Sequence, residues 1–487
     1  MSATSTNSAI SIAVVGHTNA GKTSLLRTLT RRIDFGQVSN SPGTTRQVAA
    51  IELAVDGAAV LRLLDTPGLE DAPALLEHLQ ALDGELPRGQ RVQAFLNGPA
   101  AAAEFEQEAK VLRCLLATDA GLLVIDMRET PLPKFAAELE VLQLCAKPLL
   151  PVLNHVRHAD SQEPAWRTLL ASHGLHACVR FDAVAPLDGA ERDLYTDLGA
   201  LLPARRAQLQ QLSEHLQRQA VQRHTASLRL LAELLLGLAA YRERVDKSTL
   251  AAAGARAARI EQFRARIAAR SRQATFDLLS LHGFDRHSAE AAELPELVGR
   301  WEADLFNPEA LRDAGKRLGT GALVGGAIGL VADVALAGLS LGAAATLGAA
   351  LGGMASQGIG PLGRKLADKL RGRVELTLED ATLALLLEQQ LTLLNALERR
   401  GHAALEQLQQ QQQPPAAAPL EAKPMADLLL ALRPARAHPE WAAPKLADAG
   451  NAQPAPASPA RERQLHSVST ALRPLALAVR STHARAS

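Results

Sequence analysis

Aromatic residues and cysteine are scarce in this chain of 487 residues, and its net charge is close to zero. Phe, Trp and Tyr make up 3% of the sequence, which is too few for a surface that stacks nucleic-acid bases. The cysteines, Cys114, Cys145 and Cys178, lack the short spacings of a zinc site and predict buried thiols of a reducing compartment. A formal net charge of +1 gives no general attraction for a polyanion. A nucleic-acid partner is therefore less expected than other partners.

The first ten residues, MSATSTNSAI, contain neither the basic start nor the apolar stretch of a secretory signal peptide. They predict a disordered N-terminus over residues 1–9 and a cytoplasmic location for the domain that follows. A length of 487 residues indicates two or more domains.

The run GHTNAGKT at residues 16–23 stands between an apolar strand, residues 10–15, and a helical run. Its two glycines let the main chain turn tightly, so that its amides point inward toward a polyphosphate at the positive end of the helix. Lys22 is predicted to reach the outer phosphates as a catalytic cation, and Thr23 to place its hydroxyl on Mg²⁺. The residues predicted to bind the nucleotide here are Gly16, His17, Asn19, Ala20, Gly21, Lys22, Thr23 and Ser24.

Two further motifs follow in the order that a nucleotide hydrolase of this kind needs. The first is SPGTTR at residues 41–46, in which Thr45 is predicted to be catalytic and a second Mg²⁺ ligand on a loop that orders with the γ-phosphate. The second is DTPG at residues 65–68, directly after an apolar strand. There Asp65 is predicted to hold Mg²⁺ through water, and Gly68 to offer its amide to the γ-phosphate.

Together, GHTNAGKT, PGTTR and DTPG resemble the Era/TrmE-type branch of translation-factor-related GTPases, over residues 10–185. The whole chain resembles bacterial GTPases of this branch that carry a C-terminal helical domain of unknown function. The resemblance implies an α/β P-loop NTPase fold with a doubly wound, mostly parallel sheet, and a cycle between GTP- and GDP-bound forms. In K⁺-activated members an Asn at the place of Asn19 binds the cation; that role and simple stabilisation of the loop both stay open here.

The chain departs from the family pattern at two places. Leu69 follows DTPG where Ras-type GTPases carry a Gln that orients water, and an aliphatic side chain cannot do this. Glu77 stands at a spacing from which it could help, or it lies on a solvated helix face. Asn154 is predicted to contact the base, but the residues after it are His-Val-Arg instead of Lys-x-Asp. Since arginine offers no acceptor to guanine, the choice between GTP and ATP stays open, with Asp160 as a substitute acceptor.

The predicted domain map follows composition. A GTPase domain spans residues 10–200, with an insertion near 83–106 that reads as irregular. Helical segments span 201–317 and 364–410, on either side of a glycine-rich apolar stretch, 318–363. Residues 411–487 are rich in Gln, Pro and Ala and predict a low-complexity, mostly disordered tail with a short helix near residues 425–432. The fold class predicted for the region after the GTPase domain is all-α with a glycine-rich helical hairpin.

Asp333 is the one charged residue in the stretch 318–363, and glycines recur there at a spacing of four. This spacing lets two helices approach closely. Three interpretations are open: a hairpin that enters the inner membrane, a hairpin in a soluble core, and an oligomerisation seam that would make a homodimer. Lys and Arg on both flanks match entry from the cytoplasm, so we favour contact with inner-membrane lipid or a membrane protein.

The function predicted from the sequence is GTP hydrolysis that acts as a nucleotide-dependent switch on a helical, membrane-associated domain. A tRNA- or ribosome-associated GTPase and a nucleotide-binding scaffold with little hydrolysis are the alternatives.

Overall fold

The computed structural model describes residues 8–31, 48–82, 87–183, 187, 189–246, 248, 254–284, 305–307, 339–340, 373–399, 422–442 and 458–486. The chain divides into two compact units, residues 1–221 with 399–404 and residues 222–398 with 405–487, and each is described by itself. The SPGTTR motif with Thr45 lies outside the described residues. So does the stretch 318–363, apart from Leu339 and Ser340.

A six-stranded sheet with the order β2-β3-β1-β4-β5-β6 forms the centre of the first unit. Its strands are β1 (Ile10–Val15), β2 (Ala49–Val55), β3 (Ala58–Asp65), β4 (Ala120–Asp126), β5 (Leu149–Asn154) and β6 (Val179–Arg180). All neighbours pair in parallel except β2, which runs antiparallel to β3 at the edge. The sequence prediction of a mostly parallel α/β sheet is therefore confirmed.

Helices cover both faces of this sheet. They are α1 (Lys22–Thr30), α2 (Ala72–Ala81), α3 (Arg88–Asn97), α4 (Glu106–Ala117), α5 (Pro133–Gln143), α6 (Glu163–Ser172), α7 (Ala190–Leu201) and the first part of α8 (Arg206–Ala240). Buried side chains of α2 to α6 form the core on one face, and those of α1, α7 and early α8 form it on the other. Because β1 is covered on both faces, its residues are apolar at nearly every position, as in other buried parallel strands.

The insertion near 83–106 differs from the irregular segment that the sequence indicates. It contains α3 and a short 3₁₀ helix, Pro99–Ala102. Phe95 and Phe105 are buried in the domain core, with ring centroids 6.1 Å apart, and Phe95 also contacts His78 of α2. The glycines and prolines that flank α3 mark its ends, and they obscure the apolar spacing between them.

The second unit is mainly helical, as predicted. Its helices are the rest of α8, then α9 (Ala255–Leu281), α10 (Asp380–Arg399), α11 (Ala422–Leu432) and α12 (Pro459–Ala486). It also contains a three-stranded antiparallel sheet with the order β7-β9-β8, formed by β7 (Arg242–Asp246), β8 (Leu339–Ser340) and β9 (Arg373–Leu378). The all-α prediction is therefore wrong at these residues. Within the helical segment expected across 364–410, residues 373–378 form β9, whereas residues 380–399 form α10 as predicted. Residues 339–340 form β8 where a helical hairpin is expected.

Part of the tail also corrects the sequence prediction. Where a mostly disordered segment is expected, α11 and α12 pack together and bury Leu428, Leu465 and Leu472. Prolines stand near the starts of these helices, and one, Pro474, lies inside α12, so the composition resembles that of a disordered chain. Within the described ranges, no helix combines the length and apolar character needed to span a bilayer.

Candidate phosphate-binding site

Residues 16–21 connect β1 to α1 at the carboxyl edge of the sheet. Gly16 (φ 137°) and Gly21 (φ 93°) take conformations that favour glycine, and Asn19 (φ 66°) lies in the left-handed region that tolerates asparagine. Space is equally restrictive, because a methyl group on Gly16 would lie 2.4 Å from the Val124 carbonyl oxygen. The glycine spacing thus sets the path of the loop, and Asn19 is exposed at its tip.

Lys22 begins α1 and folds back over the loop. Its Nζ donates to the carbonyl oxygens of Gly16, at 3.0 Å, and His17, at 2.8 Å. Burial lowers the pKa of this ammonium group to about 8, while Asp65 and Glu138 partly oppose the shift through their negative charge. Hydrogen bonds within the protein thus hold the Lys22 ammonium group over the loop without the help of a ligand. Ser24 follows, half-buried in the first turn of α1.

Thr23 and Asp65 meet beside the loop, although they are far apart in the sequence. The Thr23 hydroxyl donates to Asp65 Oδ2 at 2.6 Å, and Asp65 is 1% exposed. Burial raises the pKa of this carboxyl group above its usual value. Its other oxygen, Oδ1, has no hydrogen-bond partner among the residues that the structure describes. A buried carboxylate oxygen with spare capacity beside a hydroxyl fits Mg²⁺, which prefers oxygen ligands.

The DTPG segment lies directly against the loop. The Leu69 amide donates to the Gly16 carbonyl oxygen at 3.4 Å, and Leu69 pairs with His17 as an isolated parallel bridge. Gly68 contacts Thr18 so closely that a methyl group on Gly68 would lie 2.1 Å from Thr18 Oγ1. Leu69 is fully buried. Gly68 therefore lies against the phosphate-binding loop, while Thr45 lies outside the described residues.

Asn154, at the end of β5, connects the phosphate-binding loop to the segment after β6 through hydrogen bonds. Its Nδ2 donates to the Ala20 carbonyl oxygen at 3.0 Å, and its Oδ1 accepts from the Ala183 amide at 2.9 Å. The side chain is 1% exposed, and a methyl group on Gly21 would lie 2.3 Å from its Nδ2. The structure thus brings Asn154 together with the phosphate-binding loop and with the segment after β6.

The residues after Asn154 do not supply the usual carboxylate. Arg157 and Asp160 are both exposed, and His155 takes φ 57°. Burial lowers the pKa of the His155 imidazole, partly opposed by the carboxylate of Asp126. Asp182, two residues after β6 ends, is a buried acid that is 5% exposed.

A cluster of charged side chains next to the loop was not predicted from the sequence. His17 Nδ1 contacts the buried carboxylate of Glu138 on α5, and His17 Nε2 lies 3.1 Å from Lys134 Nζ. Burial raises the pKa of Glu138, while its hydrogen bond with His17 opposes the shift. His17 and Glu138 line a cavity of about 120 Å³ that is also lined by Phe135 and Trp166. The sequence does contain one signal for this charged cluster. Glu138 lies on the apolar face of α5, between Phe135 and Leu142.

Glu108 on α4 is a second residue that the motifs do not mark. It is 5% exposed, and its Oε1 accepts from the amides of Glu70 and Asp71 at 3.1 Å each. The first residues after DTPG are therefore held by the helix that follows the insertion. Asp71 in turn caps α2, since its side chain accepts from the Ala74 amide.

The fold and the loop define a P-loop GTPase domain, and comparison with known families agrees. Residues 11–155 match the family model described as "50S ribosome-binding GTPase". Residues 167–458, more than half of the chain, match the model described as "Domain of unknown function (DUF3482)". The chain belongs to that second family, with a GTPase domain preceding most of the matched region. The resemblance found in the sequence is confirmed.

Similar curated proteins are tRNA modification GTPases. MnmE of Chelativorans sp. (strain BNC1) is 44% identical over 68 residues, which are 14% of this chain and 15% of that protein. MnmE of Maricaulis maris (strain MCS10) is 37% identical over 116 residues, which are 24% and 25% of the two chains. The chain thus spans a quarter or less of the length of these relatives.

Two solved structures illustrate the structural similarity. Aquifex aeolicus Era bound to GDP and AlF₄⁻ aligns with 21% identity and a TM-score of 0.29, over 39% of this chain and 56% of that one. A bacterial selenocysteine-specific elongation factor aligns with 17% identity and a TM-score of 0.26, over 40% and 29%.

Proposed function

We propose that this chain binds GTP at residues 16–24 and hydrolyses it to GDP and phosphate, with Mg²⁺ as cofactor. The observation that carries the proposal is the arrangement of Lys22, Thr23 and Asp65. It places a buried cation over the loop and a hydroxyl–carboxylate pair beside it. Such preorganised groups stabilise the charge that develops during phosphoryl transfer, without reorganising at the moment of reaction.

Each residue has a proposed role. Lys22 pairs with the outer phosphate oxygens, while the loop amides and the start of α1 bind the rest of the phosphate chain. Thr23 and Asp65 would hold Mg²⁺, which supplies a Lewis acid on the phosphates when bound, and Thr45 would join them. The Gly68 amide would donate to the γ-phosphate. Asn154 would hold the loop and the base-binding segments in one arrangement.

Replacement of Lys22 tests the proposal. Lys22→Ala should weaken binding of GTP by at least about 100-fold, because two charge-assisted hydrogen bonds of about 1.5–3 kcal/mol each are lost. Isothermal titration with GTP and GDP in the presence of Mg²⁺ measures this, and phosphate release measures turnover. Lys110→Ala is the matched control, since Lys110 pairs with Glu106 within α4. Unchanged hydrolysis by Lys22→Ala would contradict the assignment.

Potassium activation is a finer proposal that rests on Asn19. Its side chain is exposed at the tip of the loop, where a monovalent cation could neutralise charge as an arginine finger does elsewhere. Turnover measured in KCl and in NaCl at equal ionic strength tests it. Equal rates would leave Asn19 with a structural role only.

The switch proposal extends beyond the nucleotide. Because DTPG contacts the loop and Glu108 holds the residues after it, a change at the γ-phosphate position would alter the contacts of α4 and the insertion. We propose that this change regulates the C-terminal region. The partners proposed for that region are inner-membrane lipid, a membrane protein, or a second copy of the chain.

A ribosome- or tRNA-associated GTPase is the second candidate function. The name of the family matched by residues 11–155 and the name of the MnmE relatives favour it. Co-sedimentation with ribosomal subunits, in GDP and in a GTP analogue, distinguishes it from the membrane proposal. A scaffold without turnover is recognised by tight nucleotide binding and no phosphate release.

A further inference from the structure

Thr18, the third residue of the loop, carries a hydroxyl that the fold leaves unused. Its Oγ1 is buried and, within the described parts of the chain, lacks a hydrogen-bond partner. An unpaired buried hydroxyl costs about 1–3 kcal/mol, so a native fold that keeps one needs a reason. A valine would fill the same space without this cost.

The location of this hydroxyl supplies the reason. A methyl group on Gly68 would lie 2.1 Å from Thr18 Oγ1 and 2.6 Å from the Thr18 amide nitrogen. The hydroxyl therefore lies against the main chain of Gly68, whose amide is proposed to face the γ-phosphate. The loop that grips the phosphates and the segment that detects the last one meet at Thr18.

The groups expected to orient water are not available at this meeting point. Leu69 is fully buried and belongs to the apolar core of the domain, so its side chain offers no polar atom. Glu77 is exposed on α2, near the middle of that helix. Within residues 16–21, the Thr18 side chain contacts Gly68 of DTPG, while Thr23 of α1 bonds to Asp65.

We propose that the Thr18 hydroxyl orients the water that attacks GTP, in place of the glutamine that Leu69 replaces; this rests on the GTPase function proposed above. A hydroxyl can accept a hydrogen bond from water and donate one to a γ-phosphate oxygen at the same time. The water oxygen forms a bond to the γ-phosphorus. The bond from phosphorus to the β,γ-bridging oxygen breaks, its electron pair leaves with GDP, and a water proton passes to the released phosphate. Thr18 ends the step with its own proton.

Three substitutions in the full-length protein separate the hydroxyl from the shape of the side chain. Thr18→Val keeps the shape and removes the hydroxyl, Thr18→Ala removes both, and Thr18→Ser keeps the hydroxyl. Single-turnover hydrolysis of γ-labelled GTP gives the rate of the chemical step, and a fluorescent GDP analogue gives the dissociation constant. Thr30→Val, at the end of α1, is the control for a threonine-to-valine change outside the loop.

We expect Thr18→Val and Thr18→Ala to lower the single-turnover rate by about 10- to 100-fold, the scale of a misplaced reactant. GDP affinity should stay within about twofold, since GDP lacks the γ-phosphate that the hydroxyl addresses. Thr18→Ser should recover most of the loss. A wild-type rate for Thr18→Val, a parallel loss of GDP affinity, or equally slow Ser and Val variants would each overturn the proposal. Absence of turnover in the wild-type chain would instead contradict the GTPase function itself.

Discussion

Asn154 illustrates how much one side chain contributes to the site. The sequence predicts that it contacts a base. The structure shows that its amide group also joins the phosphate-binding loop, through Ala20, to the segment after β6, through Ala183. These partners are distant in sequence, so the spacing of a motif does not reveal them.

Base selectivity is the prediction that belongs to this scale. A carboxylate at position 157 would accept from the N1 and 2-amino groups of guanine, whereas arginine has donors only. We therefore expect GTP and ITP, which lacks the 2-amino group, to bind with affinities within about threefold of each other, far from the discrimination of a site built to bond that group. Competition against a fluorescent nucleotide measures the ratio, with ATP in the same series.

Arg157→Asp should raise the preference for GTP over ITP, while Arg192→Asp, at an exposed position on α7, should leave it unchanged. A wild-type chain that strongly prefers GTP to ITP would show that another acceptor reads the base. Asp182 and Asp160 are then the residues to replace.

The residues predicted from the sequence are those whose chemistry is local. Lys22, Thr23 and the loop glycines lie in one motif, and Asp65 ends a recognisable strand. Thr18, Glu108 and Glu138 escaped prediction, because their importance depends on contacts with Gly68, with the amides after DTPG and with His17. Burial of a polar group is the common feature, and burial is a property of the folded chain.

Among the secondary-structure elements, α9 carries an arginine-rich face that the structure largely explains. Arg259 and Arg266 form ion pairs with Glu243 of β7, which is 7% exposed, and Arg264 pairs with Glu261. The basic face is thus engaged in joining a helix to the small sheet. These intramolecular pairs account for the charges of Arg259, Arg264 and Arg266.

Neutralising Glu243 should therefore destabilise the second unit. Glu243→Gln leaves two arginines without their shared carboxylate. Removing one partner of a buried pair costs about 3–5 kcal/mol. Since the two arginine side chains are 37% and 35% exposed, water screens them, and we expect about 1–2 kcal/mol. Urea unfolding followed by circular dichroism measures the change.

Glu261→Gln is the matched control for this measurement. Glu261 pairs with an arginine of the same helix, its side chain is 68% exposed, and its loss should cost less than about 0.5 kcal/mol. Equal effects of the two substitutions would contradict a structural role for the Glu243 cluster.

The elements that the sequence predicts well are strongly apolar, such as β1 and the strand β3 that ends at Asp65. The small sheet was missed because β7 reads Arg-Glu-Arg-Val-Asp, a five-residue strand in which a buried glutamate takes the place of an apolar residue. Its pairing with β9 places Glu375 opposite Arg244, and these two side chains, more than a hundred residues apart in sequence, form a hydrogen bond. Short strands stabilised by distant charges leave no periodic signal.

At the scale of the whole molecule, the chain combines a P-loop GTPase domain with a larger region of unassigned function. The membrane proposal for that region rests on composition at 318–363. Full-length protein should float with vesicles that contain anionic lipid, while a variant with Ile328→Lys and Leu347→Lys should not. A lysine at the bilayer centre costs about 2.5–3.5 kcal/mol, or about 70-fold in partitioning for the lower value.

These substitutions are preferable to deletion of 318–363, because deletion would remove β8 from the small sheet. Leu477→Lys, at an exposed position on α12, controls for the added charge. Each protein is loaded with GDP or a GTP analogue. If the wild-type chain stays with the soluble fraction in both states, the membrane proposal is wrong, and the stretch belongs to a soluble core or to a contact between copies.

Glu108 accepts hydrogen bonds from the amides of Glu70 and Asp71, and this has a consequence for any partner of the insertion. Thermodynamic reciprocity requires that, if GTP and GDP alter the affinity of such a partner by some factor, the partner alters the preference for GTP over GDP by the same factor. A titration of the equilibrium ratio of GTP to GDP affinity against candidate partners would therefore detect the physiological one without knowledge of the process that it serves.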